Sequence, residues 1–419
     1  MHIPPEKAAG VIMIGCFDTK AEVFAVLYEE LRSLGRKVIT INTGILGSTD
    51  LFPVSYENRE VMSLAGRDLG EIAVAQNRNE AVELMARGAG ILLQDLVTGN
   101  AEIGGIVGMG GGGGSYIILK AMGRVPFGIP KVCISTLATK DVTHLVGIRD
   151  IMLVPSIVDV AGVNSIISAI VKQTALAVDG MAGRLTARAG NKKRIAISMF
   201  GNTTKCVDTC TRLLTEKGYE VYPFHANGSG GKAMEELIRG RYFDGVLDIT
   251  TTELADDLCG GICSAGPDRL TAAAEAGIPQ VVVPGCLDMV NFGAPETIPN
   301  RYQDRIFYNW SPDVTLMRTN FTENMELGNR LSDKVLQSTG PVSVALPLKG
   351  ISEIDREGSS FYNERSDKKL FDTIQQKLTG RIQVTTLPCH INDQEFAEAV
   401  VAEIIKMLQD TDRPDALNL

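Results

Sequence analysis

The stretch VIMIGCFDTKAEVFAVLYEELRSLGRKVITI, residues 11–41, decides the fold class. It opens on four apolar residues, Val11, Ile12, Met13 and Ile14, a continuous run of the kind found in strands buried on both faces. Phe24, Leu27, Leu31 and Leu34 then recur at the three- and four-residue spacing that lines one face of a helix. Gly35 stops that helix, and residues 38–41, VITI, read as the next strand. Strand, helix and strand in this order make a βαβ unit, which joins parallel neighbours. The expected class is therefore α/β, a mostly parallel sheet with helices on both faces.

The same plan begins again in the second half. Residues 194–200, RIAISMF, read as a strand, Val207, Cys210 and Leu214 as a helix face, Gly218 as its stop, and residues 219–224 as a strand. Phe200, Gly218 and Val221 each lie 183 positions after Phe17, Gly35 and Val38. Duplication would produce that offset, and so would shared fold physics. Two Rossmann-like domains are expected, over residues 1–183 and 194–419, with the small, polar and basic residues 182–193, AGRLTARAGNKK, as the junction. Further strands are expected at 105–108 and 132–135, and a helix at 79–87. The chain closes with a strand in VSVALP, a helix around 371–378, a strand in IQVTTL and a helix over 393–408.

Composition narrows the function classes. A chain of 419 residues exceeds one ordinary core, and 44% apolar residues leave burial unlimited. A net charge of −9 argues against a dedicated nucleic-acid binder or a protein held on anionic membranes. The apolar runs are short and interrupted, so no membrane span is expected, and the opening MHIPPEKAAG lacks the order of a signal peptide. Eight cysteines beside apolar runs suit reduced core thiols, and a cytoplasmic location is the expectation. Cys206/Cys210 and Cys259/Cys263 have the wrong spacing for zinc knuckles, so no metal site is assigned. Trp310, alone of its kind, is expected as a buried anchor.

The strongest local feature is GGIVGMGGGGGSY, residues 104–116. A strand runs into five consecutive glycines, and a helical pattern (Ile117, Ile118, Met122) follows. Glycine permits positive φ and close approach of a ligand to the main chain, and the helix start offers unpaired N–H groups and a positive dipole end. Together these describe an anion site, with Gly108, Gly110, Gly111, Gly112, Gly113 and Gly114 as its bed and Ser115 as helix cap or phosphate donor. No Lys follows the last glycine, as a P-loop requires. Gly108, Gly110 and Gly113 fit G-x-G-x-x-G, but the ribose-binding acid some 20 residues on is missing, which weakens an NAD reading. The first strand–helix turn contributes Gly15, Asp18 (a helix N-cap by type), Thr19 and Lys20. Lys20 is a cation in a first helical turn, which opposes the helix dipole unless an anion lies near. Thr43 and Gly44 after the second strand, and Ser135 and Thr136 after the fourth, also fall at strand carboxyl ends, where open α/β sheets gather ligands.

The second half offers another glycine turn, HANGSGG (225–231), and a set of polar residues at strand ends: His225, Asp248, Thr250, Thr251, Glu253, Asp288 and Arg318. Asp248 and Asp288 suit acid–base work, whereas Glu253, Asp256 and Asp257 fit a solvated helix face equally well. His390 reads as orienting the last helix.

IGCFDTK, GMGGGGGSY, PKVCISTLAT, SIVDVAGVN, TTTELADDLCGG, SAGPDRL, GIPQVVVPGCLDMVNFG and VTLMRT occur in this order across nearly the whole chain. They resemble the Tm-one-like ATP-binding family, bacterial relatives of the N-terminal domain of the tomato mosaic virus resistance protein. The resemblance implies two Rossmann-like domains, self-association and ATP in the N-terminal domain. One helix end supplies only about 1 kcal/mol, so amides, a lysine, hydroxyls and Mg²⁺ are expected to act together, and a homodimer is expected. The glycine loop, the turn at Asp18, Thr19 and Lys20, and Ser135 with Thr136 match the family's motif. Gly112 stands where Ser is usual, Ser115 where Thr is usual, and Trp310-Ser311 where the family has His-Asn. Lys140 and Arg149 are additions that would bring positive charge towards phosphate. Two functions follow as expectations: a nucleotide-binding regulatory or partner-binding module with little hydrolysis, or a metabolic enzyme acting on a small phosphorylated or acidic metabolite in the cleft between domains.

Overall fold

The computed structural model describes residues 9–75, 77–99, 102–182 and 192–411. The chain forms two compact units, Met1–Ala189 and Gly190–Leu419. The expected junction at 182–193 falls largely outside the described residues.

In the first unit, β1 (Gly10–Gly15), α1 (Phe17–Ser33) and β2 (Val38–Asn42) form the opening βαβ unit. Three helices follow, α2 (Asn58–Leu64), α3 (Leu69–Ala75) and α4 (Arg78–Gly99), then β3 (Ile103–Gly110), α5 (Gly112–Met122) and β4 (Lys131–Ser135). The unit ends with α6 (Thr143–Val146), β5 (Ile151–Pro155) and α7 (Ser165–Met181). The sheet order is β2-β1-β3-β4-β5, and every pair is parallel. Side-chain alternation along β1 explains the two covered faces. Ile12 and Ile14 pack among Met62, Met85 and Ile118 from α2, α4 and α5. Val11 and Met13 pack among Leu27 and Leu31 of α1 and Val171 and Val178 of α7.

The second unit starts alike: β6 (Arg194–Met199), α8 (Thr204–Glu216), β7 (Glu220–His225), α9 (Ser229–Arg239) and β8 (Gly245–Thr250). It continues through α10 (Glu253–Cys259), α11 (Ala272–Ala276) and β9 (Gln280–Gly285). A small antiparallel sheet, order β10-β12-β11, follows from β10 (Met289–Phe292), β11 (Phe307–Ser311) and β12 (Val314–Arg318). The end comprises α12 (Phe321–Val335), β13 (Val342–Pro347), α13 (Glu364–Leu378), β14 (Gln383–Leu387) and α14 (Gln394–Thr411). The main sheet is parallel, order β14-β13-β9-β8-β6-β7.

Each unit thus starts in an inner strand, steps to one side, then crosses back, and the helix stops Gly35 and Gly218 have matching φ of 79° and 89°. In such sheets the reversal opens a crevice at the strand carboxyl ends, here between β1 and β3 in the first unit. Trp310 departs from expectation. It lies on β11, an edge strand of the small sheet, with 48% of its surface exposed rather than anchored in a core. Among the described residues no helix is long and apolar enough to cross a membrane.

Candidate functional site

The crevice holds a cavity of about 800 Å³ lined by residues from the ends of β1, β2 and β3 and from α3, α4 and α5. The glycine run is divided by the fold. Gly108 and Gly110 end β3, Gly111 is the N-cap of α5 with no side-chain cap, and Gly112, Gly113 and Gly114 form the first turn of α5. The first bond of that helix runs from the Ser115 amide to the Gly111 carbonyl at 2.8 Å. The amides of Gly112, Gly113 and Gly114 precede it and have no acceptor within the helix.

None of these glycines has a positive φ, so the left-handed freedom expected of them is not what selects glycine here. Two other reasons operate. A Cβ at Gly110 would sit 2.6 Å from the Ser115 nitrogen, and one at Gly108 would sit 2.7 Å from Ile118, so these positions let α5 close onto β3. A Cβ at Gly111 or Gly112 would meet nothing within 4 Å, which leaves their main chain bare to the cavity. Gly15 belongs to the packing group, because its Cβ would fall 2.0 Å from the Phe24 ring.

Asp18, Thr19, Lys20, Thr43 and Gly44 line the same cavity. Asp18 is not the N-cap; Cys16 holds that position, and the Asp18 carboxylate accepts from the Leu46 amide at 2.9 Å, pinning the loop after β2. The other Asp18 oxygen, Oδ1, is buried without a partner. Lys20 Nζ donates to the Val160 carbonyl, which holds a cation beside the glycine turn. Ser115 does not cap α5. Its hydroxyl is buried, donating to the Gly110 carbonyl at 2.9 Å and lying 2.6 Å from the Ser135 hydroxyl. These two serines tie β3, β4 and α5 together, while Thr136 borders an adjoining recess. Lys140 and Arg149 line neither hollow.

Among the polar residues of the cavity, sequence reading did not name Asn77, Arg78 or Asp159. Arg78, at the start of α4, brings its guanidinium to the Gly113 side, 3.8 Å from where a Cβ there would lie. Asp159 approaches from the loop after β5, and Cys16 from the end of β1. Burial raises the Cys16 thiol above its ordinary pKa, so it is not a thiolate nucleophile at neutral pH. Only the doubly wound packing brings Arg78 and Asp159 to this turn, and no local motif marks either of them. Ile45, Leu46, Ile72, Ala81, Val82 and Ile117 supply an apolar part of the cavity lining.

In the second unit the polar residues turn on one another. Asp248, Thr250, Thr251, Glu253, Asp288 and Arg318 are all buried, and His225 is exposed and stacked on Phe200 at 5.2 Å. The Arg269 guanidinium is fully enclosed and binds Asp248 at 2.6 and 2.7 Å, Glu253 at 2.5 Å and Glu235 at 3.1 Å. Glu253 and Asp256 are buried, which corrects their reading as a solvated face. The Glu253 carboxylate accepts from the Gly228 amide at 2.7 Å and the Gly231 amide at 3.2 Å. The second glycine turn is therefore an anion site already filled by the protein. The Thr250 hydroxyl lies 2.7 Å from that of Thr203, and Thr251 donates to the Val283 carbonyl at 3.1 Å.

Around Arg318 lies a second buried group. Its guanidinium binds Asp367 and lies 3.6 Å from Asp355, and Asp288 accepts from the Ser352 hydroxyl at 2.7 Å. Burial, reinforced by Asp355, pushes Asp288 up to about 7 and Asp367 up to about 8. His390 Nδ1 accepts from the Asn392 amide at 3.1 Å and its Nε2 contacts the Ser352 carbonyl at 2.9 Å, so it orders the turn that starts α14. Cys206 and Cys210 lie in the core beneath α14.

Comparison with known proteins agrees with the motif order. A UPF0261 protein of Clostridium tetani is 40% identical over 401 residues, covering 95% of this chain and 99% of that one. The ToMV resistance protein Tm-1(GCR237) of Solanum lycopersicum is 36% identical over 95% of this chain, which spans 55% of that longer protein. Among solved structures, E. coli ADP-heptose lps heptosyltransferase II aligns over 88% of this chain and 99% of that one at 12% identity. Its TM-score of 0.21 is too low to carry an argument. Models of the N-terminal and C-terminal domains of an uncharacterised protein family (UPF0261) match residues 9–187 and 192–408, and the chain belongs to that family.

Proposed function

We propose that the first unit binds a nucleotide, ATP in the simplest case, with its phosphates on the amides of Gly111, Gly112, Gly113 and Gly114. One observation carries the reading: side-chain-free main chain at a helix start opens onto a large cavity at the sheet's switch point. Lys20 and Arg78 line the same cavity and supply cations, and the apolar lining suits a base. The Asp18 oxygen without a partner suits a water of a phosphate-bound Mg²⁺, an ion that keeps several waters and few protein ligands. Micromolar binding requires about 8 kcal/mol. One helix end contributes about 1 kcal/mol, so the amides, the cations and the apolar lining must act together. On this reading the protein is a nucleotide-binding module that self-associates as a dimer. Titration calorimetry with ATP, ADP and NAD, each with and without Mg²⁺, tests it. ATP should bind at micromolar concentration and NAD at least tenfold more weakly, and equal affinities would refute the assignment.

A further inference from the structure

Gly111 and Gly112 border two hollows. Beside the large cavity lies a second of about 520 Å³, and Asp159 also lines both. Their walls differ in kind. The second is lined by the hydroxyl residues Ser135, Thr136, Thr139 and Ser156, and among the described residues no lysine or arginine lines it. The Asp159 carboxylate is exposed and has no hydrogen bond or ion pair among the described residues. The loop that carries it is held in a strained form. Ile157 adopts φ 62° although it is β-branched, and its side chain is 75% exposed, so packing does not compensate the strain. The Ser156 hydroxyl donates to the Val158 carbonyl at 2.6 Å, and Lys20 reaches across from the large cavity to the Val160 carbonyl. Strain fixed by hydrogen bonds on both sides of one free carboxylate points to a positioned group.

We propose that the smaller hollow is an acceptor site for a neutral, hydroxyl-rich molecule, a small polyol or monosaccharide, and that the unit transfers the terminal phosphoryl group of its nucleotide to it. The proposal rests on the nucleotide reading above. An acceptor hydroxyl oxygen forms a bond to the γ-phosphorus. The bond from that phosphorus to the β–γ bridging oxygen breaks, and its electron pair leaves on the nucleoside diphosphate. The acceptor proton passes to the Asp159 carboxylate and then to water. The amides of the glycine turn face the charge spread over the transferring group. The absence of a lining cation, with a carboxylate at the border, disfavours anionic acceptors.

The test uses the full chain with ATP and Mg²⁺ and a panel of glycerol, erythritol, ribose and glucose, with glycerate and gluconate as anionic controls. ADP release is followed by a coupled assay and the phosphomonoester by phosphorus NMR. A neutral acceptor should raise ADP release at least a hundredfold over the acceptor-free rate. Asp159→Asn should lower kcat at least a hundredfold while ATP binding remains measurable by calorimetry. Thr136→Val should raise the acceptor KM by a larger factor than the ATP Kd. ATP that binds yet gives no acceptor-dependent ADP with any neutral member overturns the proposal, as does turnover with the anionic controls alone or an unaffected Asp159→Asn variant. Failure of ATP to bind in calorimetry is a separate result, which removes the nucleotide reading and this proposal with it.

Discussion

The two glycine turns of this protein start from the same local chemistry and end in opposite states. Each follows a strand of a parallel sheet and starts a helix, α5 at Gly112 and α9 at Ser229. In the first unit a Cβ on Gly111 or Gly112 would enter open space. In the second a Cβ on Gly231 would lie 2.1 Å from a Glu253 oxygen, because that carboxylate sits on the turn. Backbone amides at a helix start attract an anion in both cases. The difference lies in what the rest of the fold delivers there. An enclosed arginine, Arg269, stabilises Glu253 in place, so the second turn serves cohesion. Among the described residues no acidic side chain is hydrogen-bonded to the first turn, and its amides border the cavity.

The largest effect should come from removing the second turn's clamp. Arg269→Ala leaves Asp248, Glu253 and Glu235 buried without their cation. Breaking a buried ionic network from one side costs about 3–5 kcal/mol, so urea unfolding of the second unit should shift by that order or the unit should fail to fold. An unchanged midpoint would mean that the network does not hold the turn.

Next comes the open turn itself. Gly111→Val and Gly113→Val together should weaken ATP binding at least a hundredfold, about 2.8 kcal/mol, while the unfolding midpoint stays near wild type. Gly110→Ala should behave differently, destabilising the first unit because its Cβ meets the Ser115 nitrogen. Retained affinity in the double variant would end the analogy between the turns.

The Arg318 group gives the third test, now on pH. Asp288 and Asp367 are held protonated to about 7 and about 8, so between the ordinary carboxylate range and those values the native state binds more protons than the unfolded chain. Their contribution to stability is full below pH about 4 and is lost as pH rises through 7 to 8. Chemical unfolding from pH 5 to 9 should show that decline, and Asp288→Asn should flatten part of it. A flat profile in the wild type would mean that these carboxyls ionise freely.

The smallest effect separates ligand access from packing. Gly112→Ala places its methyl in open space within a helix, where replacing glycine commonly stabilises by about 0.5–1 kcal/mol. The variant should melt slightly higher and bind ATP more weakly. A gain in both stability and affinity would contradict a main-chain phosphate bed.

Much of the architecture was legible because it rests on local periodicity. Val11, Ile12, Met13 and Ile14 announce a strand covered on both faces, and the spacing of Phe24, Leu27 and Leu31 announces the helix that covers one of them. Gly35 and Gly218 announce matching stops in two units. The small antiparallel sheet escaped, because β10, β11 and β12 are short and the hydrophobic pattern of Phe307–Ser311 is that of an exposed edge. Of the site, the glycine turn and the residues at the ends of β1 and β2 were readable, since strand carboxyl ends can be located from the strands.

Pattern and spacing were enough to establish which backbone would carry a glycine-lined helix start, since helices, strands and their stops depend on neighbours a few residues away. Whether such a start stays open or is closed by Glu253, and whether Arg78 and Asp159 arrive beside it, was settled only by packing. Those side chains come from segments tens of residues distant, and their positions depend on how whole helices stack against a twisted sheet. That long-range geometry has no period for a sequence to display.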